Sequence, residues 1–354
     1  MNGPIPSIRR LAVWSIGLDA HQRLYLFCVL DEKGIVIREA KVRGSWQDLI
    51  KELKQLDHPF AICFEASCGA GHLYDQLCRL ARRVVVAHPG QLRLIFKAKR
   101  KNDRVDARKL ATLLLLDQVP AVHMPSMDVR AWRSLIEHRH RQVAKRTRAK
   151  NAIRSLLRGH GIAAPGRRGL WTRKGLAWLG ELELPTEMAA LQRDILREEV
   201  EHLDAQVKRV EKELNRIGDS NPGVILLRTI PGVGPRTAEA MVAYVDDPYR
   251  FGRNKTIGSY VGLVPCQNES AGKARFGHIT REGPATVRKL LTEASWKAIS
   301  CSPQIRAYFE RVCRDDKNRK KIALIATAHY LARVMLAMLQ TGEVWREEGV
   351  AQAA

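Results

Sequence analysis

Four carboxylates stand where the sequence predicts the ends of strands and the start of a helix. Asp19 ends the first apolar run of the chain, and Glu65 ends the fourth predicted strand. Asp103 and Asp106 are three residues apart at a predicted helix start, so they share one face of that helix. Ligands collect at strand ends in α/β sheets, and carboxylate oxygens suit Mg²⁺ or Mn²⁺. This set therefore predicts a divalent-metal centre.

Basic side chains surround the two helix-start aspartates, and this mixture fits a phosphodiester held beside a metal. Those that we expect to contact phosphate are Lys101, Arg104 and Arg108. The structural alternative is that Asp103 caps its helix, Asp106 occupies the third helical position and Asp19 opens a turn. Each carboxylate taken alone is more often structural, whereas the four as a set favour the metal centre.

One serine, Ser270, lies in a glycine-containing and basic stretch that we predict to be a loop. Lys273 and Arg275 follow closely enough to neutralise a phosphate under attack. A serine is a weak nucleophile unless another group activates it, and a serine in a loop is usually a turn residue. The residues alone therefore leave both roles open.

Residues 229–238 read Thr-Ile-Pro-Gly-Val-Gly-Pro-Arg-Thr-Ala, which is a helix-hairpin-helix signature. Gly232 and Gly234 permit a tight turn whose backbone N–H groups can hold a phosphate without reading base sequence. Arg236 would add a positive charge to that contact. The alternative is an ordinary turn between helices, with Pro235 at the first helical position. Because the chain is strongly basic, we favour backbone contact with DNA or RNA.

Many of the basic residues lie in a helical segment, residues 128–184. Ten Lys and Arg residues fall between Asp128 and Gly161. Lys and Arg neutralise phosphates irrespective of base sequence, so this segment predicts contact with DNA or RNA. The residues that we assign to this contact are Arg139, Arg141, Lys145, Arg146, Arg148 and Lys150.

Composition bounds the class of protein. The 354 residues suggest two or three domains, and 45% hydrophobic with 27% charged residues argue against a disordered protein. A net charge of +23 favours a polyanionic partner, nucleic acid ahead of a membrane. The most apolar stretch, 322–339, carries His329 and Arg333, which predicts a buried helix and no membrane partner. The seven cysteines contain no Cys-x-x-Cys pair, so we expect a reduced, cytoplasmic protein without a zinc or disulfide framework.

The predicted elements divide the chain into four parts. Residues 10–127 alternate strands and helices, with three antiparallel strands followed by parallel ones, which predicts a mixed-sheet α/β domain. The basic segment comes next, then a coiled coil over 185–220 and a mostly helical C-terminal domain over 221–345.

The coiled coil is predicted from apolar residues whose spacing alternates between four and three, the a/d pattern. This seam consists of Leu196, Val200, Leu203, Val207, Val210, Leu214 and Ile217. Such a seam either pairs with a second copy of the chain or packs internally, and we favour pairing.

Three stretches hold the carboxylates: Ile-Gly-Leu-Asp at 16–19, Cys-Phe-Glu-Ala-Ser-Cys-Gly at 63–69 and Lys-Asn-Asp-Arg-Val-Asp-Ala-Arg at 101–108. Together they resemble the Asp-Glu-Asp-Asp domain of one class of bacterial insertion-sequence transposases. Proofreading exonucleases instead place Asp-x-Glu on the first strand, where this chain has Asp-Ala-His at 19–21. Gly-Leu-Val-Pro at 262–265 and Glu-Ser-Ala-Gly at 269–272 resemble the C-terminal domain of the same transposases.

The resemblance implies a ribonuclease-H-like sheet of the RuvC type that binds Mg²⁺ or Mn²⁺ through the four carboxylates. It implies that Ser270 is the nucleophile and forms a covalent phosphoserine link with DNA. It also implies donor and target DNA as substrates and a structured non-coding RNA as guide. Recombination joins several strands and needs more than one active centre, which favours a homo-oligomer, a dimer or a tetramer.

Two rival functions stay open. One is a RuvC-like Holliday-junction nuclease, which depends on metal, hydrolyses DNA with water and makes no covalent link. The other is a non-enzymatic, basic scaffold for nucleic acid, in which the carboxylates are helix caps. Ser270→Ala would spare the nuclease, and loss of Mg²⁺ binding on replacing Asp19 and Asp106 by Asn would exclude the scaffold.

Overall fold

The computed structural model describes residues 13–95, 103–166, 169–270 and 273–347. Within these ranges the side chains of residues 103, 268, 270, 273 and 274 are not described, and Lys101 lies outside the described residues. The chain forms two compact units, which divide between Arg130 and Ala131.

The first unit is built on a five-stranded mixed sheet. Its strands are β1 (Trp14–Ala20), β2 (Leu24–Leu30), β3 (Val36–Arg43), β4 (Phe60–Glu65) and β5 (Arg83–Ala87). They lie in the order β3-β2-β1-β4-β5. The pairs β1–β2 and β2–β3 are antiparallel, and the pairs β1–β4 and β4–β5 are parallel. The predicted mixed sheet, with antiparallel strands first and parallel strands after them, is confirmed.

Helices cover both faces of this sheet. They are α1 (Trp46–Leu53), α2 (Ala70–Leu77), α3 (Pro89–Ile95) and α4 (Asp103–Leu115). Leu49 of α1 and Leu77 of α2 are fully buried in the core on one face. Leu110 and Leu114 of α4 pack on the other face. Coverage on both sides explains why β2 and β4 are apolar without alternation.

The second unit is mostly helical, as predicted. Its helices are α5 (Met127–Gly159), whose first residues belong to the first unit, α6 (Arg173–Glu181), α7 (Glu187–Ser220), α8 (Pro222–Leu227), α9 (Pro235–Val245), α10 (Thr256–Tyr260), α11 (Ala285–Cys301), α12 (Pro303–Cys313) and α13 (Lys320–Thr341). An antiparallel two-stranded ribbon, β6 (Pro265–Ser270) and β7 (Lys273–Ile279), comes between α10 and α11 in the chain.

The apolar helix predicted from residues 322–339 is α13. A helix over Lys317–Thr341 is long and apolar enough to cross a membrane by length and composition, and 56% of its most apolar window is buried. Ala328, Leu331 and Met335 have no exposed surface and lie in the core of the second unit. The prediction of a buried core helix is confirmed.

The a/d seam of α7 is covered within the chain. Val200, Leu203 and Val207 are at most 4% exposed, and Val200 packs with Ala149 and Ile153 of α5. This burial favours the internal packing of the seam, which was the alternative to the preferred pairing with a second copy. Spacing of four and three specifies an apolar stripe on a helix but not what covers it, and α5 supplies the cover here.

Candidate functional site

Asp19 and Glu65 lie at the same end of neighbouring parallel strands. The last paired residues of β1 and β4 are Leu18 and Phe64, and the two carboxylates follow them directly. The Asp19 side chain is 20% exposed, and Glu65 is exposed. Both therefore emerge from the buried sheet at the carboxyl edge of its parallel strands, where α/β sheets bind ligands.

Gly17 lets α4 lie directly on β1. A Cβ atom at this position would be 2.0 Å from the carbonyl oxygen of Ala107 and 2.3 Å from the backbone nitrogen of Ala111. No residue with a side chain fits such a contact. Asp106 immediately precedes Ala107. The close approach at Gly17 therefore holds Asp106 next to β1.

A cavity of about 240 Å³ lies beside this contact. Arg104 of α4 lines it together with Leu26 of β2, and Leu26 is the register partner of Asp19. The first turn of α4 therefore lies at the strand end that carries Asp19. The remaining lining residues are Phe27, Cys28, Glu39, Ala40, Lys41 and Ala107.

Two of the predicted metal ligands have polar partners. Asp19 Oδ2 lies 3.2 Å from Nε2 of His21, and Asp106 Oδ1 accepts a 3.4 Å hydrogen bond from Lys109 Nζ. Among the described side chains, which do not include that of Asp103, no group of three His, Cys, Asp or Glu residues could hold a metal ion. Sequence reasoning missed His21, although its position two residues after Asp19 put it at the same strand end.

The oxygen donors at this edge nevertheless suit a divalent cation chemically. Asp19, Glu65 and Asp106 offer carboxylates, and Mg²⁺ usually takes only one or two of these because it keeps several waters. Asp103, three residues before Asp106, is the first residue of α4. A cation at this edge would therefore need no full protein cage.

Buried cysteines lie under this edge, and an exposed one lies beside it. Cys63, two residues before Glu65, is fully buried, and burial raises the pKa of its thiol to about 12. Burial also raises the pKa of Cys28 to about 11, although the nearby Arg108 lowers it. Both buried thiols are therefore protonated packing groups at neutral pH. Cys68, three residues after Glu65, is exposed.

Six basic residues of α5 are predicted to contact nucleic acid, and three of them form ion pairs with carboxylates of α7. Arg139 donates to Glu211 over 2.8 Å, and Arg146 donates to Asp204 over 2.6 Å. Lys150 Nζ lies 3.9 Å from Oδ2 of the same aspartate. As the residue numbers of these basic residues rise along α5, those of their partners on α7 fall. The two helices therefore run antiparallel.

The other three basic residues form an exposed stripe on α5. Arg141, Lys145 and Arg148 are exposed, and their spacing of four and three puts them on one face of α5. We call these three residues the α5 basic stripe. The exposed placement of these three residues favours phosphate contact. Arg139, Arg146 and Lys150 are half-buried and contribute to the packing of α5 on α7.

The two glycines of the predicted phosphate-binding turn have different surroundings. Gly232 has φ +87°, and a Cβ there would be 2.5 Å from the backbone nitrogen of Ala298 in α11. This glycine therefore turns the chain tightly against α11. Gly234 is exposed, a Cβ there would meet no described atom within 4 Å, and the residue caps α9 ahead of Pro235. The open side of the turn is thus at Gly234.

Arg236 lies mostly inside the second unit. Its side chain is 16% exposed, lies 3.1 Å from Oε1 of Glu239 and donates to Asn215 of α7. Glu239 is 1% exposed, and burial raises the pKa of its carboxyl to about 7, although the nearby Arg236 lowers it. This placement argues against the predicted phosphate contact of Arg236, because its guanidinium serves an interior carboxylate.

Ser270 is the last residue of β6, so the predicted loop is wrong at this position. Backbone pairing places Ser270 opposite Lys273, and Asn268 opposite Arg275. Arg275 is exposed, and so is Cys266 of β6. The sequence does not reveal this strand because an exposed ribbon needs no alternation of apolar and polar residues. The serine and both predicted phosphate-binding cations therefore belong to one short ribbon.

Two family models match the chain. The model for the Asp-Glu-Asp-Asp transposase domain of IS110 matches residues 16–162, which include all four carboxylates. The model described as the transposase IS116/IS110/IS902 family matches residues 225–310, which include Ser270. The two matches therefore fall on the two regions that hold the candidate site residues.

Curated relatives are similar over most of the chain. A Sinorhizobium fredii protein named as a transposase is 27% identical over 100% of this chain and 91% of its own length. The transposase for insertion sequence element IS1111A of Coxiella burnetii is 27% identical over 94% of this chain and 91% of its own length. The transposase for insertion sequence element IS1328 of Yersinia enterocolitica is 26% identical over 81% of this chain and 86% of its own length.

A mixed α/β unit, a helical unit and matches of this extent define an insertion-sequence transposase, an enzyme that cleaves and recombines DNA. Within that class, the chain belongs to the IS110/IS116 family.

Proposed function

We propose that this transposase cuts and rejoins DNA with Ser270 of the second unit as the nucleophile and with a metal centre formed by four carboxylates of the first unit. These are Asp19, Glu65, Asp103 and Asp106. The observation that carries the proposal is the position of Asp19 and Glu65 at adjacent strand ends, where α4 lies on β1 across Gly17. The strand order β3-β2-β1-β4-β5 supports a ribonuclease-H-like sheet of the RuvC type.

The ligands for Mg²⁺ or Mn²⁺ would come from Asp19, Glu65, Asp103 and Asp106, of which the cation would take one or two at a time while it keeps several waters. When bound, the metal supplies Lewis acidity toward a phosphodiester oxygen. The chain itself contributes the fixed geometry, because the parallel pair of strands and the close contact at Gly17 hold three of these carboxylates on rigid elements. Arg104 and Arg108, both exposed on α4, would contact the DNA backbone on either side.

The chemical step is a transesterification at phosphorus. Ser270 Oγ forms a bond to phosphorus, the bond from phosphorus to one DNA oxygen breaks, and that oxygen leaves as a hydroxyl with the serine proton. A DNA hydroxyl then reverses the step on the new strand. Lys273 and Arg275 would offset the charge on the non-bridging oxygens, and the planar guanidinium suits a bidentate contact.

The nucleic-acid partners in this proposal are donor DNA, target DNA and a structured guide RNA. The α5 basic stripe and the open side of Gly234, as part of a helix-hairpin-helix element, would hold phosphates of either kind of nucleic acid. Joining two DNA molecules requires several active centres, so the working form would be a homo-oligomer in the bacterial cytoplasm.

A suicide DNA substrate with Mg²⁺ tests the nucleophile. We expect a covalent adduct that maps to Ser270, and we expect Ser270→Ala to bind DNA normally but to give neither adduct nor product. Ser259→Ala, a change at an exposed serine of α10, is the matched control and should keep full activity. Asp19→Asn should also abolish cleavage, whereas Asp57→Asn on the surface of the same unit should not.

Several outcomes would contradict the proposal. An adduct that survives in Ser270→Ala would move the nucleophile to another residue. Cleavage without any adduct would favour the hydrolytic junction nuclease. Full recombination by Asp19→Asn in Mg²⁺, or equal activity in Ca²⁺ and Mg²⁺, would remove the metal from the chemistry, since Ca²⁺ accepts looser geometry.

A further inference from the structure

The β6–β7 ribbon is exposed along most of its length. The residues of both strands whose side chains are described are exposed from Pro265 to His278. Isolated two-stranded ribbons are marginally stable in water, and a ribbon of this width fits a nucleic-acid groove. We therefore expect the ribbon to be stabilised by binding a partner. The positive charge of the chain indicates that this partner is a nucleic acid.

Phe276 is the exposed aromatic residue of this ribbon. Its side chain is 67% exposed, and Gln267 lies directly opposite it in the strand register. Gln267 Nε2 donates to Glu269 Oε2 over 2.9 Å. One part of the ribbon thus combines a flat apolar ring with an amide and a carboxylate, the groups that contact the face and the edge of a nucleobase.

The charges next to Phe276 fit a nucleic-acid strand. Arg275 and His278 are both exposed on β7. Arg281, three residues beyond His278, has a left-handed backbone with φ 57° just after the ribbon. Lone exposed apolar residues are common on protein surfaces, but this one lies beside the cation Arg275 on an element without a core of its own.

We propose that Phe276 stacks on an unpaired nucleobase next to the phosphate that Ser270 attacks. This inference rests on the proposed function of Ser270. Phe276 is three residues along β7 from Lys273, the register partner of Ser270, which is about 10 Å at ~3.3 Å per residue. Bases along one DNA strand are about 3.4 Å apart when stacked, so the ring reaches a base within a few nucleotides of the attacked phosphate.

The strand alternation gives this contact a consequence for DNA opening. Phe276 and Arg275 are neighbours on β7, so they project to opposite faces of the ribbon. Arg275 would follow the backbone of the attacked strand on one face, while Phe276 holds a base that has lost its pairing partner on the other. Strand exchange requires base pairs to open, and the ribbon stabilises the opened state by stacking.

The test uses an oligothymidylate strand with one 5-iododeoxyuridine, and a duplex of the same length. Wild-type protein should cross-link to the strand under near-ultraviolet light, with the cross-link at Phe276. Phe276→Ala should bind the single strand about 5- to 150-fold more weakly and the duplex equally well, because base stacking is sensitive to this substitution. Phe276→Trp should restore affinity. Ile322→Ala, at a 58% exposed apolar residue of α13, is the control and should bind as wild type.

The outcomes separate this inference from the proposed nucleophile. Ser270→Ala should retain the cross-link and the affinity for the single strand while losing the covalent adduct. An adduct formed by Ser270→Ala would overturn the nucleophile and leave the stacking contact standing. A cross-link at another residue, with unchanged affinity of Phe276→Ala for the single strand, would overturn the stacking contact. A lower oligomeric mass of Phe276→Ala would show that the ring packs on a protein instead.

Discussion

Glu239 loses more by burial than it gains from its counter-ion. Its Oε1 lies 3.1 Å from Arg236, yet its pKa rises to about 7 because loss of water penalises the charged form more than the neighbouring cations favour it. Neither carboxylate oxygen has a hydrogen bond among the described residues. In the unfolded chain the pKa returns to its ordinary value of 4.5, so folding takes up a proton between these two values.

Stability should therefore fall as pH rises from about 4.5 to 7. A carboxyl group whose folded pKa is raised stabilises the fold fully below its unfolded pKa and loses that contribution as pH passes its folded pKa. The loss is on the order of 3 kcal/mol over this range. Glu239→Gln should remove this dependence in thermal unfolding at a series of pH values, and Glu198→Gln on the exposed face of α7 should retain it. An equal pH profile for Glu239→Gln and wild type would contradict the assignment.

Single residues at the ends of strands could be predicted from the sequence, and the partners of the basic residues could not. Asp19 and Glu65 follow apolar runs, and parallel pairing brings such residues to one edge whatever the details of packing. Arg236 belongs to a clear turn motif, but the direction of its side chain depends on its contacts with Asn215 and Glu239. Asn215 is distant in sequence, and nothing in the motif marks Glu239 as a partner. A motif specifies backbone geometry better than it specifies what each side chain contacts.

At the scale of elements, α5 and α7 act as one packed pair. The seam residue Val207 is 3% exposed, whereas Ile195 on the same helix is 56% exposed. Val207→Asp should lower the free energy of unfolding by about 3 kcal/mol or more, because it places a charge in an apolar interface. Ile195→Asp should leave the thermal midpoint unchanged. Thermal unfolding with light scattering distinguishes the cases: a folded species of lower mass from Val207→Asp would return the seam to an interface between copies.

The sequence predicts the elements of the first unit well because each one carries a local signal. Ser45 and Asp48 form the capping box that starts α1, β2 and β4 are apolar runs, and a short turn separates β2 from β3. The β6–β7 ribbon carries no such signal, since its exposed residues are selected by contact with something other than the core. Pairing of α7 with α5 also escaped prediction, because a heptad pattern is the same for an internal and an external partner.

At the scale of the whole molecule, the net charge of +23 arises from an excess of Lys and Arg residues. Some of these residues are paired with carboxylates, and others are exposed to solvent. Changing Arg141, Lys145 and Arg148 together to Gln should weaken binding to DNA of every sequence. The slope of log affinity against log salt should fall in magnitude by about 0.9 for each duplex phosphate that the variant no longer neutralises. Fluorescence anisotropy over about 50 to 200 mM salt measures it.

The matched control carries the same loss of charge on another helix. Lys208, Arg209 and Lys212 are exposed on α7, and their change to Gln should have the smaller effect. Equal losses from the two triple variants would show that net charge alone governs binding and that the α5 basic stripe has no special place in it.

The distribution of thiols supplies two natural labelling positions near the candidate site residues. Cys68 lies three residues after Glu65, Cys266 lies four residues before Ser270, and both are exposed. Maleimide probes on these two would report any change in the distance between the carboxylates and the serine as the enzyme assembles on DNA. The buried thiols would stay unlabelled, and the other accessible ones to be replaced by serine are Cys78, Cys301 and Cys313. Fluorescence energy transfer between the labels would then time the formation of the active centre against the appearance of the covalent adduct.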